Sequence, residues 1–427
     1  MKNTMNKMST TAHAVSALFV AFFAAACTQT GTHGAVLGSP NGSGKAVETL
    51  GNAARNLSPA GVNNEWGYIN AQGEIMITPR FRAVRNFTDD GLAQVSDENW
   101  EWGYINAQGE IVIPVRFEQI SDFEANGLAS VKENGKFGYI NIQGEMVIPA
   151  RFEDIGGFAA NGLGAVKENG KWGFINTQGE MVIPPRFEDM ESFADNGLAA
   201  VWERENDKWV YINAKGEMAL DPEADEARGF ATNGLAMVEM NGKFGYINAK
   251  GERVIPPRFE GAWSFAANGL ARAKENGKWG YINAKGERVI PPRFEDARCF
   301  DANGLAMVKM NGKWGYINTQ GEMMIEPRFD FIGGFSANGL ARVKVDEKWG
   351  YINAKGEMVL PLRFGQAYDF SDNGLAEAWE SENERTVYIN ANGETILFAE
   401  EACGYIAALK NAQGVIIWPQ NIVELCN

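Results

Sequence analysis

Few side chains in this 427-residue chain have the chemistry of a nucleophile, a general base or a metal ligand. The only histidines are His13 and His33, and both precede the repetitive region that makes up most of the chain. Histidine-based catalysis and histidine-ligated metal sites are therefore excluded from that region. The sequence has no Walker loop, nucleophile elbow or Cys-x-x-Cys motif, so we predict no catalytic residue, no metal and no cofactor.

Adjacent carboxylates recur, and a glycosidase needs two such groups. The pairs are Glu153-Asp154, Glu188-Asp189 and Glu295-Asp296. Neighbouring residues on a strand point to opposite faces of the sheet, so adjacency alone does not make a catalytic site.

Two charged columns also recur, and we expect them to form a solvated rim in which Glu and Arg pair with each other. A ligand groove lined by guanidinium groups is the alternative. The columns are Glu252, Glu287 and Glu322, and Arg258, Arg293 and Arg328.

Most of the twelve tryptophans recur at one phase of a repeat, which is typical of a repeated core. Trp202, Trp263 and Trp379 occur where other copies lack Trp, so they are the predicted contact residues for a partner. The chain has 39 Lys and Arg against 54 Asp and Glu, a net charge of −15, which disfavours nucleic acid as that partner.

The N-terminus has the pattern of an export signal. Lys2 and Lys7 precede an apolar run over 14–26, which is shorter than a membrane-spanning helix but suits a signal peptide. The run ends at Cys27 and resembles the lipobox of bacterial lipoproteins, with Ala at the position of the usual Leu. We expect a cleaved signal peptide at 1–26, an acylated Cys27 and a flexible tether over 27–60. Ordinary cleavage with a free Cys27 thiol is the alternative.

The resemblance to lipoproteins implies a location at the cell envelope. The residue after the cysteine is Thr28, whereas an Asp at this position would resemble a signal for retention in the inner membrane. The outer membrane is therefore favoured.

The remainder of the chain is one unit repeated ten times with a period near 35 residues. An aromatic-Ile-Asn tripeptide marks each copy, beginning at Tyr68, Tyr104, Tyr139, Phe174, Tyr211, Tyr246, Tyr281, Tyr316, Tyr351 and Tyr388. Copy eight illustrates the unit: a strand over 305–309, an Asn311-Gly312 turn, and a second strand over 314–318. A further turn leads to the segment that ends at Arg328-Phe329, so each copy is an antiparallel β-meander.

Lys-Trp-Gly-Tyr-Ile-Asn at 313–318 and the recurring Gly-Glu-Met-Val-Ile-Pro-Pro-Arg-Phe segment resemble the WG-repeat family of bacterial proteins. The resemblance covers Glu65 to about Phe398. It implies an interaction module rather than an enzyme.

The strands carry apolar residues on both faces, so each meander must pack between neighbours. We therefore predict an all-β tandem array of propeller-like blades. In two copies, the interval from Leu198 to Tyr211 and from Leu375 to Tyr388 is 13 residues instead of 11. A duplicated five-copy block, 61–226 followed by 227–398, explains this shared insertion. An open solenoid and two five-bladed propellers both fit, and a single ring of ten is the least expected arrangement.

The last segment, 399–427, reads as a degenerate unit that caps the array. Cys403 and Cys426 are a possible disulfide within it, whereas we expect Cys299 to pack as a small apolar side chain.

These features together predict a lipid-anchored, non-catalytic scaffold that binds a protein or glycan partner. A structural envelope spacer and a carbohydrate-active enzyme that uses paired carboxylates are the alternatives.

Overall fold

The computed structural model describes residues 54, 56–205, 207–403 and 406–420, without the side chains of 401–403 and 406. The predicted signal peptide over 1–26, the lipidation site Cys27 and the side chains of Cys403 and Cys426 lie outside the described residues. Within the described part, no helix has the length and hydrophobicity that a membrane crossing requires.

The described residues form ten antiparallel sheets, which we number in chain order. Sheet 1 contains β1 (Ser58–Val62), β2 (Glu65–Ile69) and β3 (Ile75–Phe81). Sheet 2 contains β4 (Ala83–Val84), β5 (Leu92–Ser96), β6 (Trp102–Asn106) and β7 (Ile111–Phe117). Sheet 3 contains β8 (Gln119–Ile120), β9 (Ala129–Glu133), β10 (Lys136–Ile140) and β11 (Met146–Phe152). Sheet 4 contains β12 (Asp154–Phe158), β13 (Gly164–Glu168), β14 (Lys171–Ile175) and β15 (Met181–Phe187). Sheet 5 contains β16 (Asp189–Met190), β17 (Ala199–Glu203), β18 (Lys208–Ile212) and β19 (Met218–Leu220). Sheet 6 contains β20 (Glu226–Phe230), β21 (Leu235–Met240), β22 (Lys243–Asn248) and β23 (Arg253–Phe259).

Sheet 7 contains β24 (Gly261–Ala262), β25 (Ala271–Glu275), β26 (Lys278–Ile282) and β27 (Arg288–Phe294). Sheet 8 contains β28 (Asp296–Ala297), β29 (Leu305–Met310), β30 (Lys313–Asn318) and β31 (Met323–Phe329). Sheet 9 contains β32 (Phe331–Ile332), β33 (Ala341–Val345), β34 (Lys348–Ile352) and β35 (Met358–Phe364). Sheet 10 contains β36 (Gln366–Ala367), β37 (Ala376–Glu380), β38 (Arg385–Ile389), β39 (Thr395–Cys403), β40 (Ile406–Asn411) and β41 (Ile416–Trp418). The C-terminal segment thus adds β40 and β41 to the last sheet.

Local turn chemistry explains the hairpins. Asn311 and Gly312 have φ angles of 50° and 76°, the left-handed values that a two-residue hairpin turn requires. Gly315 follows Trp314 because a Cβ there would lie 2.3 Å from the Ile325 carbonyl oxygen of β31.

The two lengthened copies carry Val210 and Val387 at the position of that glycine. In sheet 10, Val387 pairs directly with Phe398 on β39, and in sheet 5 the last strand, β19, is short and ends at Leu220. The close approach that demands glycine in an ordinary copy is therefore relieved in both copies.

One core cluster lies at each boundary between consecutive sheets of the described chain. In the eighth sheet, Tyr316 and Phe329 pack against Ile332 and Val343 of the ninth. The Tyr316 hydroxyl donates a hydrogen bond of 2.6 Å to the carbonyl of Gly333, which directly follows the first strand of that sheet. The same bond, always to the residue 17 positions later, recurs at the other tyrosines from Tyr68 to Tyr351.

The ten sheets close into a single ten-bladed ring. Val62 and Ile69 of sheet 1 share a core with Tyr388 and Leu409 of sheet 10. Asn63 also exchanges two hydrogen bonds with the Ala407 backbone. The all-β class and the tandem blades are confirmed.

An open solenoid and two five-bladed propellers are wrong. The core at the junction of sheets 5 and 6 joins Tyr211 to Ala227 and Ile247, so the ring continues across 226–227 without a break. The shared insertion lengthens two hairpins without dividing the array, because both outer faces of each five-sheet block are covered by the other block.

The core depends on tyrosine more than on tryptophan. Tyr316 is 2% exposed, whereas Trp314, two residues earlier on the same strand face, is only half-buried. Trp209 and Trp349 are buried, but most other tryptophans of this position lie at the margin of the core. The expectation of a tryptophan core therefore holds only in part.

Candidate functional site

The two charged columns serve the turns of the ring and do not pair with each other in the described structure. Each recurring Glu accepts a hydrogen bond from the Asn that begins its turn, as Glu322 does from Asn318 at 2.8 Å. The recurring Arg donates to the corresponding turn of the next sheet, as Arg328 does to the Gly356 carbonyl at 2.5 Å. The expected Glu–Arg pairing is thus wrong, because each group satisfies a nearby backbone turn or side-chain amide instead.

The adjacent carboxylates are also divided between two structural tasks. Glu295 accepts hydrogen bonds from the Asn311 and Gly312 amides of its hairpin, and these bonds lower its pKa. Asp296 accepts one from the Ala297 amide. In the same way, Glu153 accepts a hydrogen bond from the Gly170 amide, and Asp154 accepts one from the Ile155 amide. As expected from strand geometry, neither pair converges on one site.

A pocket of about 490 Å³ lies at the junction of sheets 5 and 6. Four carboxylates and two indoles line it, and the lining includes no Lys or Arg: Asp189, Trp202, Trp209, Asp225, Glu226 and Glu239. We call it the acidic pocket. The rings of Trp202 and Trp209 meet edge to face, with centroids 5.8 Å apart.

The acidic pocket exists because two successive copies lack a lysine. In sheets 3, 4, 7, 8 and 9 the second strand carries a Lys opposite the first strand, as Lys309 lies opposite Asp296. Sheet 5 has Trp202 at this position, opposite Asp189. Sheet 6 has Glu239, opposite Glu226. An indole and a carboxylate thus replace two ammonium groups side by side.

The pair Glu226–Glu239 places like charges directly opposite each other, which is unfavourable in an antiparallel sheet. Burial and the neighbouring Glu226 and Asp225 raise the pKa of Glu239. Arg228 forms ion pairs with Glu226 at 2.5 Å and with Glu191 at 3.0 Å. It forms no ion pair with Glu239 in the described structure. The pocket therefore favours a cation, which would relieve the repulsion and could stack on the exposed part of Trp202.

Sequence comparison assigns the family. A family model described as "WG containing repeat" matches nine consecutive segments between residues 66 and 378: 66–99, 102–137, 137–172, 172–209, 209–244, 244–279, 279–314, 314–349 and 349–378. The chain belongs to the WG-repeat family. No curated protein has significant sequence similarity to it.

Solved structures with a similar course of the chain include a eukaryotic initiation factor, with 9% identity, a TM-score of 0.43, and coverage of 68% of this chain and 94% of the other. BamB from Moraxella catarrhalis has 12% identity and a TM-score of 0.31, and the match covers 69% of this chain and 94% of BamB. AztD from Citrobacter koseri has 12% identity and a TM-score of 0.33, with 72% and 91% covered.

The three tryptophans predicted as partner contacts occupy different places in the WG-repeat ring, and their role stays a prediction. Trp202 lines the acidic pocket. Trp263 packs against Arg272, whose guanidinium carbon lies 4.6 Å from the ring centroid. Trp379 is 40% exposed on sheet 10 and belongs to the second lengthened hairpin.

The cysteines of the WG-repeat chain pair differently from expectation at one position. Cys299 forms a disulfide, so it is not a free apolar side chain. The sequence offers three other cysteines for a bond within the chain, Cys27, Cys403 and Cys426. Consequently, an acylated Cys27 and a Cys403–Cys426 bond are mutually exclusive if the Cys299 disulfide is intramolecular.

Sequence reasoning missed Glu239, Glu226 and Asp225. A signal was present: copy six reads Val-Glu-Met-Asn-Gly at 238–242, where copy eight reads Val-Lys-Met-Asn-Gly at 308–312. In the described residues, no group of three or more His, Cys, Asp or Glu side chains is placed to hold a metal ion.

Proposed function

We propose that this protein is a lipid-anchored, non-catalytic scaffold of the bacterial cell envelope that binds a protein partner through the acidic pocket. The family and the ring support a repeat scaffold. Acylation at Cys27 and a tether over 27–60 would hold the ring near a membrane, with the outer membrane favoured by Thr28.

The observation that carries the binding role is the loss of lysine in two adjacent copies. Sheets 2 and 10 also lack this lysine and have Ser96 and Trp379 in its place, but the acidic pocket combines the loss with a like-charge pair beside Trp202. A Lys or Arg side chain of a partner would take the position of the missing lysine. A protein with a basic segment therefore fits the pocket better than a neutral glycan.

A calorimetric titration with a tetra-arginine peptide tests this role. The wild type should bind it, and Glu239→Lys should weaken binding by about tenfold or more, because it places the missing cation inside the pocket. Lys309→Glu, at the equivalent position of sheet 8, is the control for a charge change of the opposite sign and should not weaken binding. Equal affinities for the wild type and Glu239→Lys would exclude the acidic pocket as the binding site. A structural spacer would show no binding at all.

A carbohydrate-active enzyme is the second candidate, because Glu239 has a raised pKa and faces Glu226 across the strands. The two residues are direct cross-strand partners, so their carboxyl groups do not leave between them the roughly 5 Å or more that glycosidases reserve for the sugar. Hydrolysis of a chromogenic glycoside, abolished by Glu226→Gln and by Glu239→Gln, would establish the enzyme and displace the scaffold.

The anchor has its own test. Cys27→Ser should move the protein from the detergent phase to the aqueous phase and abolish incorporation of labelled palmitate. A Cys27→Ser variant that partitions like the wild type would show that the chain is not anchored through this residue.

A further inference from the structure

A second irregularity lies at the junction of sheets 7 and 8, away from the acidic pocket. On the second strand of each sheet, one residue pairs with the core tyrosine of the third strand, and its identity varies from copy to copy. It is Gln94 in sheet 2, Arg272 in sheet 7 and Arg342 in sheet 9. Gln94 and Arg272 are 4% and 5% exposed, so each polar group needs a partner.

In two of these copies an acid of the next sheet provides that partner. Gln94 Nε2 lies 2.6 Å from Asp122 Oδ1, and Arg342 Nε lies 3.0 Å from Asp369 Oδ1. The Arg342 contact is an ion pair, since Nε lacks an aligned hydrogen-bond acceptor. Asp122 and Asp369 both directly precede the phenylalanine that begins the turn to the next strand. The acid therefore comes from one fixed position of the repeat.

At the corresponding position opposite Arg272 the chain has Cys299, which is bound in a disulfide and carries no charge. Arg272 Nη1 donates a hydrogen bond to the Ala297 carbonyl, and its buried Nε has no acceptor. Asp296, the acid that acts on Arg272 electrostatically, lies 3.7 Å from Arg298 instead. Within the described chain, no carboxylate forms an ion pair with Arg272.

The surroundings retain the guanidinium without neutralising it. The Trp263 and Trp279 rings have their centroids 4.6 and 5.8 Å from its central carbon, so stacking replaces part of the lost hydration. Arg298 adds a second positive charge nearby, and burial together with Arg298 lowers the pKa of Arg272. A buried cation without a counter-ion is costly, and a carboxylate is the group that best matches a guanidinium.

We propose that Arg272 is the centre of an anion site that binds a small carboxylate at the junction of sheets 7 and 8, beside Cys299, and that this carboxylate supplies the charge that Asp369 supplies to Arg342. The neighbouring Arg298 side chain is 54% exposed, so solvent borders this junction. This site is independent of the acidic pocket, and its failure would leave the proposed function untouched.

The test follows the Nε–H signals of Arg272 and Arg342 by NMR during titration of the full-length protein with acetate, with chloride replaced at constant ionic strength. The Arg272 signal should move downfield and saturate. The Arg342 signal should stay in place, because Asp369 already occupies its site. Thermal unfolding should show a rise in Tm of about 2 °C when acetate is tenfold above its Kd.

Arg272→Met is the matched variant, because Met237 and Met307 occupy the equivalent positions of sheets 6 and 8. It should fold and lose the acetate-dependent rise in Tm. In Asp369→Asn, the Nε–H signal of Arg342 should also shift with acetate, because Arg342 has lost its carboxylate. This variant tests the same chemistry even if Arg272→Met folds poorly. An Arg272 signal that ignores acetate, an unchanged response in Arg272→Met, or a stronger response to inorganic phosphate than to acetate would overturn the proposal.

Discussion

The like-charged pair in sheet 6 gives the sharpest test of how the acidic pocket is built. Glu239→Lys restores the lysine that sheet 8 has as Lys309, and it places an ammonium group opposite Glu226. The substitution removes one repulsive cross-strand pair and adds one attractive pair. Each such pair contributes about 0.2–1 kcal/mol, so the variant should be more stable than the wild type by about 0.5–1.5 kcal/mol.

The pH dependence of stability gives an independent test of whether Glu239 destabilises the folded state. Folding raises the pKa of Glu239, so the folded state binds this proton more tightly than the unfolded state does. The wild type therefore loses stability as pH rises through the carboxyl range, and the whole penalty is present at neutral pH. The advantage of Glu239→Lys should therefore be largest at pH 7 and should shrink at acidic pH, where Glu239 of the wild type is protonated and no longer repels Glu226.

Urea denaturation of both proteins at pH 7 and at pH 4 measures this difference, provided that the m-value is unchanged. High salt should reduce the advantage, because the groups are only half-buried. Lys309→Glu is the reciprocal control, and it should lower stability by a similar amount by placing Glu opposite Asp296. A variant that is less stable than the wild type at pH 7, or an advantage that does not depend on pH, would refute the electrostatic account of the pocket.

Three other predictions concern the core, the ring and the disulfide. Tyr316→Phe removes one hydroxyl hydrogen bond and should cost about 1 kcal/mol, whereas Trp314→Ala, at a half-buried ring, should cost about 2 kcal/mol. In urea denaturation, a Tyr316→Phe variant as stable as the wild type would contradict the buried hydrogen bond, and a Trp314→Ala loss of about 4 kcal/mol or more would contradict the half-burial of the indole. The fragments 61–226 and 227–398 should each aggregate, because each exposes two apolar sheet faces that the other covers; cooperative, monomeric unfolding of either fragment in calorimetry would contradict this. Peptide mapping without reduction should find Cys299 in a disulfide-linked peptide, and a free Cys299 thiol would contradict the assigned bond.

Much of the fold is predictable because each repeat is built from local contacts. The turn at Asn311-Gly312 needs positive φ angles, and the alternation around Tyr316 fixes which side chains face the core. The family resemblance, based on the same residues, is confirmed. The sequence also marks Trp202 as an unusual position, although the pattern did not show that it lies in a pocket with Glu239.

The acidic pocket could not be derived in the same way, because its members come from two copies. Glu226 and Glu239 meet only through the pairing of β20 with β21, and Asp189 and Trp202 join them only because sheet 5 packs against sheet 6. A repeat comparison reveals the missing lysines, but not that the two substitutions are neighbours in space.

The period, the hairpins, the strand faces and the glycine of each Trp-Gly pair follow from the order of the residues, since these features depend on backbone angles and contacts within one copy or between adjacent strands. The closure of ten copies into one ring does not follow from that order and is seen only in the folded chain. Closure depends on a small rotation between successive sheets, repeated ten times, and no single turn or strand specifies that angle. The contacts between Asn63 and Ala407 join residues 344 positions apart, and they form only when every intervening rotation has been made.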